Sequence, residues 1–173
     1  MRLLLALLLL AGVPAAAQTV HTEGAPLPAA PRFSSGATGV TVTLPVGWDG
    51  PVEVEEARLP GYAHYAFSNE AAGHPLYGAV VRVERLFALS PHHMQRWQTG
   101  AVPYGYHGLR PVGPLALPVA GLGLEVRGGG RGGAVAFVRR GAAHWAVHVS
   151  APEAVWETHR DRLLPLVAAV VLP

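Results

Sequence analysis

Histidine is the residue type in this chain best suited to chemistry, and three of its nine histidines fall in residues 144–167, HWAVHVSAPEAVWETHRDRLLPLV. His144 and His148 are four residues apart, the spacing of zinc ligands on a helix. However, HWAVHV alternates in the way that predicts a strand, and four strand residues span about 13 Å, too far for one zinc to bind both imidazoles. Trp145 also stands where the helical zinc motif has its glutamate. The pair therefore predicts a strand and no metal site.

The other histidines have no ligand spacing either. His92 and His93 are adjacent at a predicted helix start, so their side chains diverge by about 100°. His64, His74 and His107 lie on separate predicted strands or loops, and only the fold would bring them together. The sequence thus predicts no metal ligands, no cofactor and no catalytic residues. A metal-dependent hydrolase that gathers histidines from distant segments is the alternative function.

The carboxylates and nucleophilic residues of the sequence also form no recognisable catalytic motif. Glu53 and Glu55 share one face of a predicted strand about 6.6 Å apart, within the range of inverting glycosidase pairs. The solvent face of an edge strand, which charged residues protect from aggregation, is the preferred interpretation. The sequence has no Gly-x-Ser-x-Gly elbow, no cysteine and no lysine. P-loop, Schiff-base, protein-kinase, Ser-Lys and thiol mechanisms are therefore excluded.

Two loop segments are candidates for binding. RGGGRGG, residues 127–133, resembles an RNA-binding tract, but its position between two apolar strand patterns favours a hairpin turn, and no nucleic-acid partner is predicted. In YGYHGLRP, aromatic and arginine side chains are of the kind that contact a partner protein or a small ligand. We predict this contact role for Tyr104, Tyr106, His107 and Arg110. Anchoring of the loop by its own tyrosines is the simpler alternative.

The N-terminus, MRLLLALLLLAGVPAAAQ, has the pattern of a secretory signal peptide with cleavage after Ala17. The apolar run is too short to cross a membrane, which takes about 20 residues. We therefore expect an exported chain, periplasmic or extracellular, with no transmembrane segment after cleavage and no disulfides. The chain has 13 Lys plus Arg, all arginine, against 11 Asp plus Glu. Because Arg2 leaves with the signal peptide, the mature chain is close to neutral.

The remaining pattern predicts a flexible Pro/Ala-rich lead-in at residues 18–37 and a single domain at 38–173. Strands are expected on both sides of PVGWDG, at 61–68 and within 76–89, with a short helix at 90–99. Residues 100–123 are rich in Gly and Pro and predict mostly loop. LGLEVRG and AVAFVRRG predict a hairpin whose flexible tip is GGGRGG.

The C-terminal segment predicts a strand, a helix and a last short strand. Ser150 and Glu153 fit a capping box, and apolar residues recur at helical spacing after it. Pro165 is expected to end or kink the helix. AAVVLP follows as the final strand.

Together these features resemble a known family. VTLPVGW matches a turn pattern, and AAHWAVHVSAPEAVWETHRDRLLPLVAAVVLP matches the closing strand and helix, of the PsbP-like α/β/α sandwich domains. The resemblance covers most of residues 38–173. It implies an α+β fold, an antiparallel β-sheet with helices packed on its faces, and an accessory or binding role without a catalytic set. We therefore expect a non-catalytic binding or accessory domain of the cell envelope.

Overall fold

The computed structural model describes residues 30, 32–56, 63–86, 96 and 108–173. The predicted signal peptide and most of the predicted lead-in lie outside the described residues. So does the helix predicted at 90–99, apart from Arg96, which is helical. No helix in the described part of the chain is long and apolar enough to span a membrane.

Seven strands form one antiparallel sheet in the order β3-β4-β5-β9-β8-β7-β6. Their bounds are β3 Asp49–Glu56, β4 Ala63–Ser68, β5 Val80–Leu86, β6 Arg110–Pro114, β7 Leu122–Gly128, β8 Arg131–Arg140 and β9 Ala143–Pro152. A smaller sheet has the order β1-β2-β10, with β1 Arg32–Ser34, β2 Thr41–Thr43 and β10 Val170–Val171. The predicted antiparallel α+β fold and the final short strand are confirmed. Residues 32–34 of the predicted lead-in contribute β1.

The two faces of the large sheet differ. The face that carries Tyr65, Val83 and Val147 packs against the small sheet and the C-terminal helix, and we call it the helix face. Alternate residues of the same strands, among them His64 and Glu84, point the other way, onto what we call the histidine face. A second apolar cluster lies on this face, formed by Leu109, Leu124, Val126, Val135, Phe137 and Ala146.

Helix α1, Glu153–Leu163, begins directly where β9 ends, and it packs on β8 and β9. The predicted capping box is wrong: Pro152 is the N-cap residue, with no side-chain cap hydrogen bond. Ser150 is unable to cap because β9 continues past it and buries it completely. Pro165 acts as predicted, since α1 gives way at Leu163 to a 3-10 helix, Leu164–Ala169.

The glycine-rich tip is a tight turn. Gly128 pairs with Arg131, so only Gly129 and Gly130 form the loop, and both have positive φ, 59° and 72°. Two such residues define the type I′ hairpin turn, whose twist matches that of the strands. The hairpin is confirmed, and most of the predicted tip belongs to the strands themselves.

Two other predictions need correction. The loop predicted at residues 100–123 is interrupted by a strand where it is described, because β6 spans Arg110–Pro114 and pairs with β7, whereas residues 115–121 lie outside the strands as predicted. Val52 and Val54 of β3 are both more than half exposed, although this segment alternates as a half-buried strand does. The reason is that β3 is an edge strand of the large sheet, and neither valine belongs to the core cluster.

A glycine in β8 sets how closely α1 approaches the sheet. A Cβ at Gly132 would lie less than 3.0 Å from the ring of Trp156, which is completely buried. Any side chain there therefore pushes the helix away from the sheet.

A cluster of charges ties the same helix to β7. Glu125 accepts hydrogen bonds from Arg127 at 3.1 Å and from Arg160 of α1 at 2.6 Å, and Arg127 also pairs with Glu153 and Glu157. Burial by itself raises the pKa of Glu125, but the two arginines outweigh it and hold the pKa below its ordinary value. The ionised carboxylate therefore stabilises the folded state.

We predict that Gly132→Ala lowers the free energy of unfolding by about 1–3 kcal/mol, because the new methyl group overpacks the contact with Trp156. Gly113→Ala is the matched control, since nothing lies within 4 Å of a Cβ at that strand position. It should be neutral or stabilising by up to about 1 kcal/mol. Urea denaturation measures both, and equal effects would contradict the close-packing argument.

We also predict that Glu125→Gln makes the free energy of unfolding less dependent on pH in the acid range. Because the folded-state pKa is lowered, the stabilisation is fully present above the ordinary pKa near 4.5 and is lost as pH falls through the folded value. The variant should be less stable than the native protein at pH 7, and the difference should shrink on acidification below about pH 4.5. Asp161→Asn, on the exposed side of α1, is the control. A stability difference that does not depend on pH would refute the assignment.

Candidate functional site

The histidine face holds most of the buried polar side chains of the large sheet. They come from three neighbouring strands, β4, β5 and β9, and they are His64, Ser68, Arg82, Glu84, His148 and Ser150. These strands are central and apolar, so each charged group on them has to be compensated by a partner. The candidate site is built from these residues.

His64 is placed between two carboxylates. Its Nε2 lies 3.3 Å from Oε2 of Glu53 on β3, and its Nδ1 lies 3.4 Å from Oε1 of Glu84 on β5. Register explains the second contact, because His64 and Glu84 are cross-strand partners. The two carboxylates differ in environment: the Glu84 side chain is 10% exposed and that of Glu53 is 57% exposed. The imidazole thus bridges a buried acid and a surface acid.

Arginine side chains extend the polar cluster along β5 and β8. Arg82 is the cross-strand partner of His148. Arg131 donates from Nη2 to the backbone oxygen of Gly78 at 2.9 Å and to the hydroxyl of Ser150 at 3.3 Å. Burial, and after it the positive charge of Arg82, lowers the pKa of Arg131. The guanidinium stays charged at neutral pH and fixes the loop at Gly78 to the sheet.

The Ser150 hydroxyl in this cluster is not available as a nucleophile. Ser150 is completely buried and contacts Arg131, so its hydroxyl is inaccessible to a substrate. Within residues 30, 32–56, 63–86, 96 and 108–173, no three His, Asp or Glu residues are grouped so as to hold a metal ion. The contacts of His64 with Glu53 and Glu84 instead give the buried imidazole a polar neighbour at each ring nitrogen.

The structure places the other predicted histidines apart. His144 and His148 both lie in β9, as predicted, opposite Leu86 and Arg82 of β5. His74 lies in the loop before β5, where its Nδ1 accepts the backbone N–H of Leu76 at 3.1 Å and lies 3.0 Å from the side-chain amide of Asn69. His92, His93 and His107 lie outside the described residues.

Of the four predicted contact residues, only Arg110 belongs to the described part of the chain. Tyr104, Tyr106 and His107 lie outside the described residues, and Arg110 is the exposed first residue of β6. β6 is the outer strand of the sheet, and Val112, two residues on, is 60% exposed. Arg110 therefore stands at an edge of the large sheet that no other described strand covers.

Comparison with solved structures finds the same architecture in a known protein. The solution structure of cyanobacterial PsbP (CyanoP) from Synechocystis sp. PCC 6803 matches with a TM-score of 0.55 and 14% identity. The match covers 84% of this chain and 93% of that chain. The fold is PsbP-like. No family profile and no curated protein matches the sequence.

In this PsbP-like fold, the VTLPVGW motif that carried part of the resemblance connects two layers of the structure. VTLPVGW takes the chain out of the small sheet at β2 and into the edge strand β3 of the large sheet. Trp48 of this motif is buried in the core. The two strands around the turn therefore link the layers of the PsbP-like domain and do not pair with each other.

Sequence reasoning missed Arg82, Glu84 and Arg131. A signal for the first two was present, because VVRVERL alternates charged residues with valines in a strand of otherwise buried character. Because side chains alternate between the two faces of a strand, the sequence predicts that Arg82 and Glu84 share one face. The contact of Glu84 with His64 was not readable, since it depends on strand pairing.

We predict that Glu84→Gln destabilises the fold by about 1–3 kcal/mol, because the buried carboxylate that contacts Nδ1 of His64 is replaced by an amide. Glu53→Gln removes the contact at the other ring nitrogen but is largely solvated, so it should cost less than about 1 kcal/mol. Chemical denaturation of the two variants at one pH tests the difference. Equal losses would mean that burial does not set the strength of these pairs.

Proposed function

We propose that the protein is an exported, non-catalytic binding domain of the cell envelope that contacts a partner protein or a small ligand. The observation that carries the proposal is the outer edge at β6, which no other described strand covers and where Arg110 and Val112 are exposed. An edge strand offers unpaired backbone groups to a partner. Here the edge also offers a positive charge and an apolar side chain.

The contact residues are those of the segment that leads into this edge. Tyr104, Tyr106 and His107 precede Arg110 by a few residues, and arginine and tyrosine are the residue types enriched at binding hot spots. We assign the four residues a shared role as a contact patch. The strand provides a fixed edge, and the preceding segment provides the aromatic groups.

Two further observations support a binding role without catalysis. On the histidine face, His64 contacts Glu53 and Glu84, so these side chains are engaged with one another. The resemblance to PsbP-like domains also implies an accessory or binding role. Export is supported by the N-terminal pattern, with a mature chain that begins at Gln18.

The experiment compares capture by the native protein and by a variant with Tyr104→Ala, Tyr106→Ala, His107→Ala and Arg110→Ala. Each protein is purified from the exported fraction of the host, where its N-terminus should be Gln18. It is then immobilised on a resin and incubated with that same fraction, and the captured partner is quantified. Losing several hot-spot side chains should reduce partner capture at least tenfold, since two or more such losses exceed about 1.4 kcal/mol.

The matched control carries Tyr77→Ala and Arg139→Ala, which remove an exposed tyrosine and an exposed arginine elsewhere. It should capture as the native protein does, and circular dichroism should show all three chains folded. Unchanged capture by the fourfold variant would overturn the contact patch. A stoichiometric metal ion in the native mass spectrum would overturn the non-catalytic assignment in favour of a metal-dependent hydrolase.

A further inference from the structure

We propose that a groove on the helix face binds a single-chain alkyl carboxylate, with its head between Arg85 and Arg140 and its chain in an adjoining apolar cavity. The groove lies between the large sheet and the small sheet, where the hairpin of β8 and β9 turns. It is remote in sequence from β6, and this proposal does not depend on the contact patch.

The head pocket has a volume of about 450 Å³ and is open to solvent. Among the described residues that line it, Arg85 and Arg140 carry the charged side chains. Within the described residues, no carboxylate pairs with either guanidinium. Two guanidinium groups in one concave site, with no acidic side chain among the described residues that line it, favour an anionic ligand.

Trp145 forms part of the wall of this pocket. The Arg85 guanidinium lies 6.0 Å from the centroid of its ring. Because Trp145 is 1% exposed, the ring is a fixed surface against which the Arg85 guanidinium rests.

The apolar half of the groove begins on the other side of Arg140. A cavity of about 190 Å³ shares this arginine with the head pocket. Apart from Arg140, all of its lining side chains are aliphatic, namely Val119, Val138, Val147, Val167, Val170, Val171 and Leu172. Val138 and Trp145 are cross-strand partners, so the two cavities are neighbours on one face.

Two arginines beside an aliphatic cavity favour one class of anion over others. An inorganic anion or a short polar anion would use the arginines and leave the apolar cavity unfilled. A polyanion such as nucleic acid needs an extended basic surface, whereas this site has two positive charges and an aliphatic extension. A ligand with one anionic head and one alkyl chain matches both halves.

Calorimetric titration with acetate, hexanoate, octanoate and decanoate tests the proposal on the exported protein. Each added methylene that enters the cavity should raise the affinity about fourfold, since burial of a methylene contributes about 0.8 kcal/mol and 1.4 kcal/mol is tenfold. Arg85→Gln and Arg140→Gln should each weaken octanoate binding at least tenfold. Arg139→Gln is the matched control and should bind normally, because the adjacent Arg139 lies on the opposite face.

Further ligands and one more variant distinguish an alkyl carboxylate site from other kinds of binding site. Equal affinity for acetate and decanoate would overturn it in favour of a simple anion site. Equal binding of octyltrimethylammonium would overturn the role of the arginines. Co-sedimentation with phosphatidylglycerol-containing vesicles, without binding of decanoate, would assign the arginines to a lipid surface instead. Val138→Asp places a charge in the cavity and should abolish the chain-length dependence while acetate binding persists.

Discussion

The pairing of β9 on both sides is the constraint on which the rest of the structure depends. All ten of its residues pair with β8, and seven of them also pair with β5. A strand so placed must bury both of its faces, and it carries Trp145, Val147 and Val149 on one and His148 and Ser150 on the other. Because α1 begins at the next residue, the position of β9 also fixes where the helix crosses the sheet.

The contact between the helix and the sheet follows from that placement. Trp156 lies one turn into α1 and reaches β8 where Gly132 leaves room for its ring. The charged groups around Glu125 then tie the exposed side of the same helix turn to β7. Apolar packing decides the distance between the layers, and the ion pairs, which are partly solvated, hold the helix in register.

Burial of both faces also explains the polar cluster. His64, Glu84 and His148 lie on central strands, where they would be costly without partners. His64 obtains two carboxylates from neighbouring strands. The groups proposed for binding lie elsewhere: Arg110 and Val112 at the outer edge, and Arg85 and Arg140 beside the β8–β9 turn. The structure therefore separates a stabilising polar interior from two surfaces with different chemistry, a strand edge and an amphipathic groove.

The sequence by itself determined most of the strand segments but not β1 and β6, and it determined the hairpin at Gly129 and Gly130, the end of α1 just before Pro165 and the exclusion of lysine and cysteine chemistry. These depend on local periodicity, turn geometry and residue type. Only the tertiary structure decided that Glu84 meets His64, that Trp156 rests on Gly132 and that Arg85 and Arg140 share a pocket. The physical reason is that a period of two states which residues share a face. Strand order and register, which are set by packing of the whole chain, decide which residues become neighbours on it.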